Sequence, residues 1–227
     1  GGLNVINACS DYDIKIFIFS SSAAVYGLPE YNPLDEDHPL SPTNYYGQTK
    51  LHIEENLEWF SNLKGIKYAS LRYFNAAGYD LQKRVRKLEI NPQNLIPSVM
   101  ESVIGMRTHI EVYGNDYNTK DGTGVRDYIH VSDLARAHID SIDYICEQNK
   151  NLTVNLGNEI GYSVLDVINK LSEISKKRIE YRIVGRRSGD SGTIIANTEL
   201  AKRLISWEPR HSDLGTIINS TWEIYKI

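Results

Sequence analysis

Tyr46 and Lys50 stand four residues apart in the run Tyr46-Gly47-Gln48-Thr49-Lys50. On a helix that spacing places a phenol and an ammonium on one face, over one pocket. A tyrosine with the ordinary pKa of about 10 is a poor base at neutral pH. A lysine cation held beside it favours the phenolate and lowers that pKa, which general-base chemistry requires. Alone, Tyr-x-x-x-Lys is a surface pair in many helices, so a second group has to narrow the reading. Ser20-Ser21-Ser22 closes an apolar stretch, and Ser22 lies 24 residues before Tyr46. Open α/β sheets bind ligands at the carboxyl ends of their strands, and a serine there can share a proton with a substrate hydroxyl. The plainer alternative is a polar strand end that caps the next segment. Taken together, Ser22, Tyr46 and Lys50 are the candidate catalytic set.

Two further segments suit an anion. Asp121-Gly122-Thr123-Gly124-Val125-Arg126-Asp127-Tyr128 and Arg186-Arg187-Ser188-Gly189-Asp190 each join an arginine to glycine and aspartate. A guanidinium bonds phosphate oxygens in bidentate fashion, so two such arginines can clamp a diphosphate. Salt bridges to Asp127 and Asp190 are the bland alternative. Asn75 and the pair Asn94-Leu95 are candidates for sugar hydroxyls or phosphate.

The elements that must carry these groups read as α/β. A helix over 3–12 precedes a strand at 15–19, whose run Ile16-Phe17-Ile18-Phe19 suits a strand covered on both faces. The serine triplet ends it. A loop at 28–43 leads to a helix over 44–63, with Leu51, Leu57 and Phe60 inward and Gly65 as its stop. A strand at 66–74 completes a parallel crossover unit. Beyond Asn75, short strands at 109–113, 128–131, 153–156 and 179–184 alternate with helices at 95–104, 132–145 and 163–175. Ser163 and Asp166 form a capping box for the last of these. A final helix shows Leu214, Ile217, Ile218, Trp222 and Tyr225 on one face. The second half reads as a smaller lid, with the cleft beside it as the default site.

Bulk properties exclude several classes. The 227 residues are 41% hydrophobic and 24% charged with net charge −4, so no global field attracts nucleic acid or acidic membrane. No apolar run reaches the roughly 20 residues of a membrane span. Cys9 and Cys146, far apart in apolar helical contexts, read as free buried thiols in a reducing compartment. The run Lys83-Arg84-Val85-Arg86-Lys87 reads as a solvated loop face. A cytoplasmic protein is the default.

The strings FIFSSSAAVYG, YYGQTK, LRYFNAAG, VYGNDYNTKDGTGVRDYIHVSDLA, NLG…GYSVLDVI and RRSGD resemble the UDP-glucose 4-epimerases, nucleotide-sugar epimerases of the extended short-chain dehydrogenase/reductase type. The order and spacing match over essentially the whole chain. The resemblance implies a partial Rossmann-type doubly wound parallel sheet over residues 1–75. It implies a smaller α/β substrate-binding lid over 76–227, with a segment near 125–160 returning to the Rossmann part. It implies NAD as cofactor, a UDP-sugar as substrate and a homodimer at full length. Tyr46 would be the base, Lys50 would hold the nicotinamide ribose, and Ser22 would bond the hexose 4-hydroxyl. Ser20, Ser22, Tyr46, Lys50, Tyr73 and Phe74 would meet the cofactor. Ser22, Tyr46, Asn75, Asn94, Leu95, Tyr113, Arg126, Tyr128, Arg187 and Asp190 would line the substrate site. Arg126 and Arg187 would take the diphosphate and Asp190 the ribose.

Three departures bear on these expectations. Roughly the first 90–100 residues of the family pattern, with the glycine-rich turn that receives the NAD pyrophosphate, have no counterpart among the 227 residues. These residues alone are therefore expected to bind NAD poorly and to be inactive. Ile194 occupies a position that gates N-acetyl groups in the family, which leaves UDP-N-acetylhexosamine or UDP-hexuronate epimerisation open. Glu111 stands where a small residue is common beside the uracil. A sugar-nucleotide binder without catalysis is the rival from another class.

Overall fold

A computed structural model of the chain describes residues 1–226. The elements in chain order are α1 (Gly2–Asp11), β1 (Ile16–Ser22), a 3-10 turn (Ala23–Val25), α2 (Tyr45–Lys64), β2 (Lys67–Tyr73), β3 (Asn75–Ala77) and α3 (Leu95–Val103). There follow β4 (Ile110–Tyr113), β5 (Val125–His130), α4 (Val131–Gln148), β6 (Leu152–Leu156), β7 (Gly161–Ser163), α5 (Val164–Ser175), β8 (Tyr181–Val184), β9 (Thr193–Ile194), α6 (Glu199–Ile205) and α7 (Leu214–Tyr225). They form two compact units. One comprises Gly1–Phe74, Leu134–Leu156 and Ala196–Glu208, the other Asn75–Asp133, Gly157–Ile195 and Pro209–Ile227.

The first unit is built on a parallel sheet of order β1-β2-β6. The serine triplet does not end β1. Ser20, Ser21 and Ser22 pair with Leu71, Arg72 and Tyr73, because β2 continues alongside and satisfies their backbone groups. Ile16, Phe17, Ile18 and Phe19 are half-buried rather than covered on both faces. Among the described residues β1 has a strand on one side only. α2 begins at Asn44, whose side chain accepts from the Gly47 amide at 2.8 Å. It stops at Gly65, which sits at φ 73°, a left-handed conformation that costs glycine little.

Both cysteines are free, as expected, but neither is fully buried. The buried stripe of α4 runs through Leu134, Ala137, Ser141 and Ile145. Cys146, one residue further, turns about 100° off that stripe and is exposed.

In the second unit β5 is the organising strand. It runs parallel to β3 and β9 and antiparallel to β7, while β4 and β8 form a separate parallel pair. Strands as short as β3, β7 and β9 carry no readable period, so they escape a reading by alternation. Ser163 and Asp166 form the expected capping box at the start of α5. The core joins Ile96, Val99 and Met100 of α3, Val167, Ile168 and Leu171 of α5, and Leu214, Ile217 and Ile218 of α7. Lys83 and Arg84 of the basic run pair with Glu223 and Asp80 on the exposed surface. Among the described residues no helix is long and apolar enough to cross a membrane, and no cluster of side chains could hold a metal ion.

Leu171 is fully buried where α3, α5 and α7 meet. Its replacement by alanine leaves a cavity and is expected to cost about 2–5 kcal/mol of stability, read from urea unfolding.

Candidate active site

The first turn of α2 lies against the 3-10 turn that follows Ser22, and Gly47 is the reason it can. A Cβ built at Gly47 would fall 2.3 Å from the Ala24 carbonyl oxygen and 3.1 Å from Pro42 Cβ. Only hydrogen fits, so the backbone beside Tyr46 packs onto the backbone beside Ser22. The Ser22 side chain caps the turn by accepting from the Ala24 amide at 3.2 Å, which leaves its own hydrogen free to donate.

One helical turn on from Tyr46, the Lys50 ammonium donates to the Ser20 carbonyl at 2.7 Å. It sits 5.1 Å from the centre of the Phe19 ring and 5.5 Å from that of Tyr46. Tyr46 is 54% exposed, and its hydroxyl has no partner among the described residues. Tyr73 ends β2 opposite Ser22 in the register and Phe74 follows it, both half-buried. Ser20, Ser22, Tyr46, Lys50 and Tyr73 are thus joined through the paired ends of β1 and β2 and the start of α2.

Two things here had no motif to announce them. The Ser20 hydroxyl lies 3.3 Å from His138 Nε2. His138 Nδ1 is 2.8 Å from the Leu134 carbonyl, which fixes a proton on Nδ1 and leaves Nε2 to accept from Ser20. Beneath the strands lies a buried polar row, Ser21 of β1, Arg72 of β2 and Asn155 of β6, in direct register. Glu54 of α2 joins it. Arg72 donates to Glu54 through Nη2 at 2.6 Å and Nε at 3.0 Å, and the Ser21 hydroxyl donates to the same carboxylate. Arg72 Nη1 donates to the Tyr26 hydroxyl at 3.2 Å, and Tyr26 donates to Asn155 at 2.7 Å. Burial pushes the Tyr26 phenol up to about 12 against the lowering effect of Arg72. For Arg72, burial works against the charge, but the bond to Glu54 outweighs it and the guanidinium stays firmly protonated. Arg72 in the middle of a strand was the available signal, since a buried charge must be paired.

The second unit holds a cavity of about 650 Å³. Asn75, Asn94, Leu95, Tyr113, Arg126, Tyr128, Arg187 and Asp190 all line it. The two arginines differ in their partners. Arg126 forms an ion pair with Asp190 and donates to its neighbour's carbonyl, Val125, at 2.8 Å. The Arg187 guanidinium carbon lies over the Tyr113 ring, 3.8 Å from its centre, and Tyr113 donates to Glu111 at 2.6 Å. Asp127 follows Arg126 in β5. It is fully buried and accepts from the Asn158 and Glu159 amides at 2.7 and 3.0 Å, tying the loop after β6 to β5. The Asn75 amide donates to the Asp127 carbonyl at 2.9 Å. Burial also raises the Tyr128 phenol well above its ordinary range, so it stays neutral. Ile194 neighbours Arg126 across the β5–β9 pairing, and Glu111 lines the cavity.

Replacement of Gly47 by alanine forces α2 away from the Ala24 carbonyl. The overpacking is expected to cost about 1–3 kcal/mol of stability, read from urea unfolding.

The model of the NAD dependent epimerase/dehydratase family matches residues 1–157. The UDP-glucose 4-epimerase of Rhizobium meliloti is 39% identical over 222 residues, covering 98% of this chain and 67% of the relative. That of Halalkalibacterium halodurans is 40% identical over 216 residues, covering 95% and 65%. The chain thus spans about two thirds of the length of these relatives. Among solved structures, the Stenotrophomonas maltophila UDP-glucose-4-epimerase with bound NAD and formylated UDP-arabinopyranose superposes with TM-score 0.94 at 36% identity, over 99% of this chain and 67% of that one. The Brucella ovis UDP-glucose 4-epimerase in complex with NAD gives 0.95 at 36%, over 99% and 69%. The chain belongs to the NAD dependent epimerase/dehydratase family, among the UDP-glucose 4-epimerases.

Proposed function

We propose that the chain serves NAD-dependent 4-epimerisation of a UDP-hexose, interconverting UDP-glucose and UDP-galactose, with Tyr46 as the base. The observation that carries this reading is the junction of α2 with β1. It places an unpartnered, exposed phenol one helical turn from an ammonium and beside the turn that starts at a free serine hydroxyl hydrogen.

The groups present fit NAD. Lys50 spends one donor on Ser20 and keeps two, and the Tyr46 hydroxyl is unengaged, so both can meet ribose hydroxyls. They stand with Ser20, Ser22, Tyr73 and Phe74 at the carboxyl ends of parallel strands, the place where open α/β sheets receive a dinucleotide. When bound, NAD supplies the acceptor and the donor for the hydrogen on the sugar C4. Tyr46 takes the proton of the 4-hydroxyl and later returns it. Ser22 donates to the same oxygen and orients it. Lys50, whose ammonium lies 5.5 Å from the centre of the Tyr46 ring, holds the nicotinamide ribose.

Between the two half-reactions a 4-keto sugar turns its other face to the site. That requires a firmly held diphosphate and a loosely held sugar. Arg126 and Arg187 take the diphosphate, and Asp190 the ribose. Asn75, Asn94, Leu95, Tyr113 and Tyr128 complete the lining. Asp190 meets Arg126 through Oδ1 and keeps Oδ2 for a ribose hydroxyl.

We read the enzyme further as a cytoplasmic homodimer of galactose metabolism, with the UDP-sugar as its small-molecule partner and no nucleic-acid or membrane partner. The free thiols support a reducing compartment. Exposed Leu3, Val5, Trp59 and Leu63 on α1 and α2 support a second copy.

Tyr46→Phe in a protein of the relatives' full length, assayed with NAD and UDP-galactose, is expected to lower kcat by about 10²- to 10⁴-fold. A loss below tenfold removes Tyr46 from this role. Arg187→Ala is expected to weaken UDP binding by roughly 10- to 100-fold in calorimetry, the scale of a lost charge-assisted bond.

A further inference from the structure

The buried cluster beneath the strand ends takes no part in the reaction as written, yet it touches every element that carries a reacting group. Tyr46, Lys50 and Glu54 follow one another at successive turns of α2 and share one face. Lys50 bonds the backbone of Ser20, and Glu54 bonds the side chain of Ser21. Two consecutive residues of β1 are thereby tied to two consecutive turns of α2. The next residue of the strand is Ser22, and the next turn toward the helix N-terminus carries Tyr46. Side chains alternate along a strand, so Ser21 is held from the α2 side while Ser22 is left for other partners.

We propose that Glu54, held by Arg72 and Ser21, is a positioning residue that sets the spacing between the Tyr46 phenol and the Ser22 hydroxyl by fixing where α2 sits along β1. The proposal rests on the reading of Tyr46 as base and adds what places it. Directionality is the argument. An apolar side chain at position 54 can slide along the sheet with little loss, because burial is insensitive to direction. A carboxylate that accepts Nη2 and Nε of one guanidinium and a serine hydroxyl has one place to be. Stability does not explain the pair. Glu54 and Arg72 are 8% and 5% exposed, and buried ion pairs can be exchanged for apolar residues of similar volume with no loss of stability. Arg72 is in turn fixed by Tyr26, whose hydroxyl bonds Asn155 in the same register row, so the clamp reaches across all three strands.

Three variants separate the possibilities: Ser21→Ala, the pair Glu54→Leu with Arg72→Met, and Tyr46→Phe. Each is made in a protein of the relatives' full length, glycine-rich turn included, and is measured for kcat and KM with UDP-galactose, for UDP binding by calorimetry, and for the urea midpoint. Ser21→Ala removes one bond and keeps the ion pair, while the double variant keeps a packed core without charges. Both are expected to lower kcat by about 10- to 100-fold, with KM and the UDP dissociation constant within about twofold of the parent and little change in midpoint. A kcat within about twofold of the parent in both overturns the proposal. So does a loss of kcat matched by equal losses in UDP affinity and midpoint, since that is general destabilisation. Normal turnover by Tyr46→Phe sinks the assignment of the base itself. An inactive Tyr46→Phe beside a fully active Ser21→Ala and double variant sinks only the clamp.

Discussion

An arginine inside a sheet dictates much of the first unit. Arg72 lies in the middle strand with buried neighbours on both flanks, and a guanidinium there keeps its charge at any accessible pH. Leaving such a charge without a partner costs several kcal/mol, comparable to the whole stability of a domain. The chain meets that demand from four directions: Glu54 from the helix, Tyr26 from the turn after β1, Asn155 through Tyr26, and Ser21 through Glu54. Each partner belongs to a different segment. A shift of any one of these segments by a residue breaks a bond that nothing else replaces. The register of three strands and one helix is therefore specified by polar geometry, while Leu57, Ala69, Leu71 and Val154 around it supply the bulk of the burial.

That division explains which parts of the fold could be read from residues. The Tyr46–Lys50 spacing, the cap at Ser163, the stop at Gly65 and the inward stripe of α7 are local, each needing knowledge of one element only. Buried charges are different. Glu54 looks like any glutamate on an exposed helix face until Arg72 is placed opposite it, 18 residues later. Gly47 likewise looks like a weak point inside a helix, and its purpose is visible only when the Ala24 carbonyl is seen against it. The end of β1 was misjudged for a related reason. Serines suggest a strand's end by composition, whereas β2 alongside keeps the ladder going through Ser22. His138 reaches Ser20 from a helix more than a hundred residues later, and no periodicity encodes that.

The second unit uses the same rule in a looser form. Its cavity residues come from β3, α3, β4, β5 and the loop after β8, and eight expected positions meet around one space. Their charges are balanced without being locked. Arg126 has a single acidic partner, partly exposed, and Arg187 rests on an aromatic face. Exposed ion pairs and cation–π contacts of this kind are worth about 1 kcal/mol each, so an incoming diphosphate can displace them readily. Asp127, immediately beside Arg126, is treated in the opposite way: fully buried, accepting two backbone amides, and unavailable for exchange.

The contrast follows from what each place has to do. A proton moves over a few tenths of an ångström, and its rate falls steeply when donor and acceptor drift apart. On the proposed reading the groups that move it, Tyr46 and Ser22, are carried on elements cross-braced by bonds whose partners are buried and fixed. On the same reading a nucleotide enters and leaves the cavity of the second unit, and the groups proposed to hold it must let go. Strong pairing inside that cavity would stabilise the empty state against the ligand. Tight polar bracing under Tyr46 and exchangeable pairing around Arg126 and Arg187 are thus two answers to one question, how much a charge should be allowed to move.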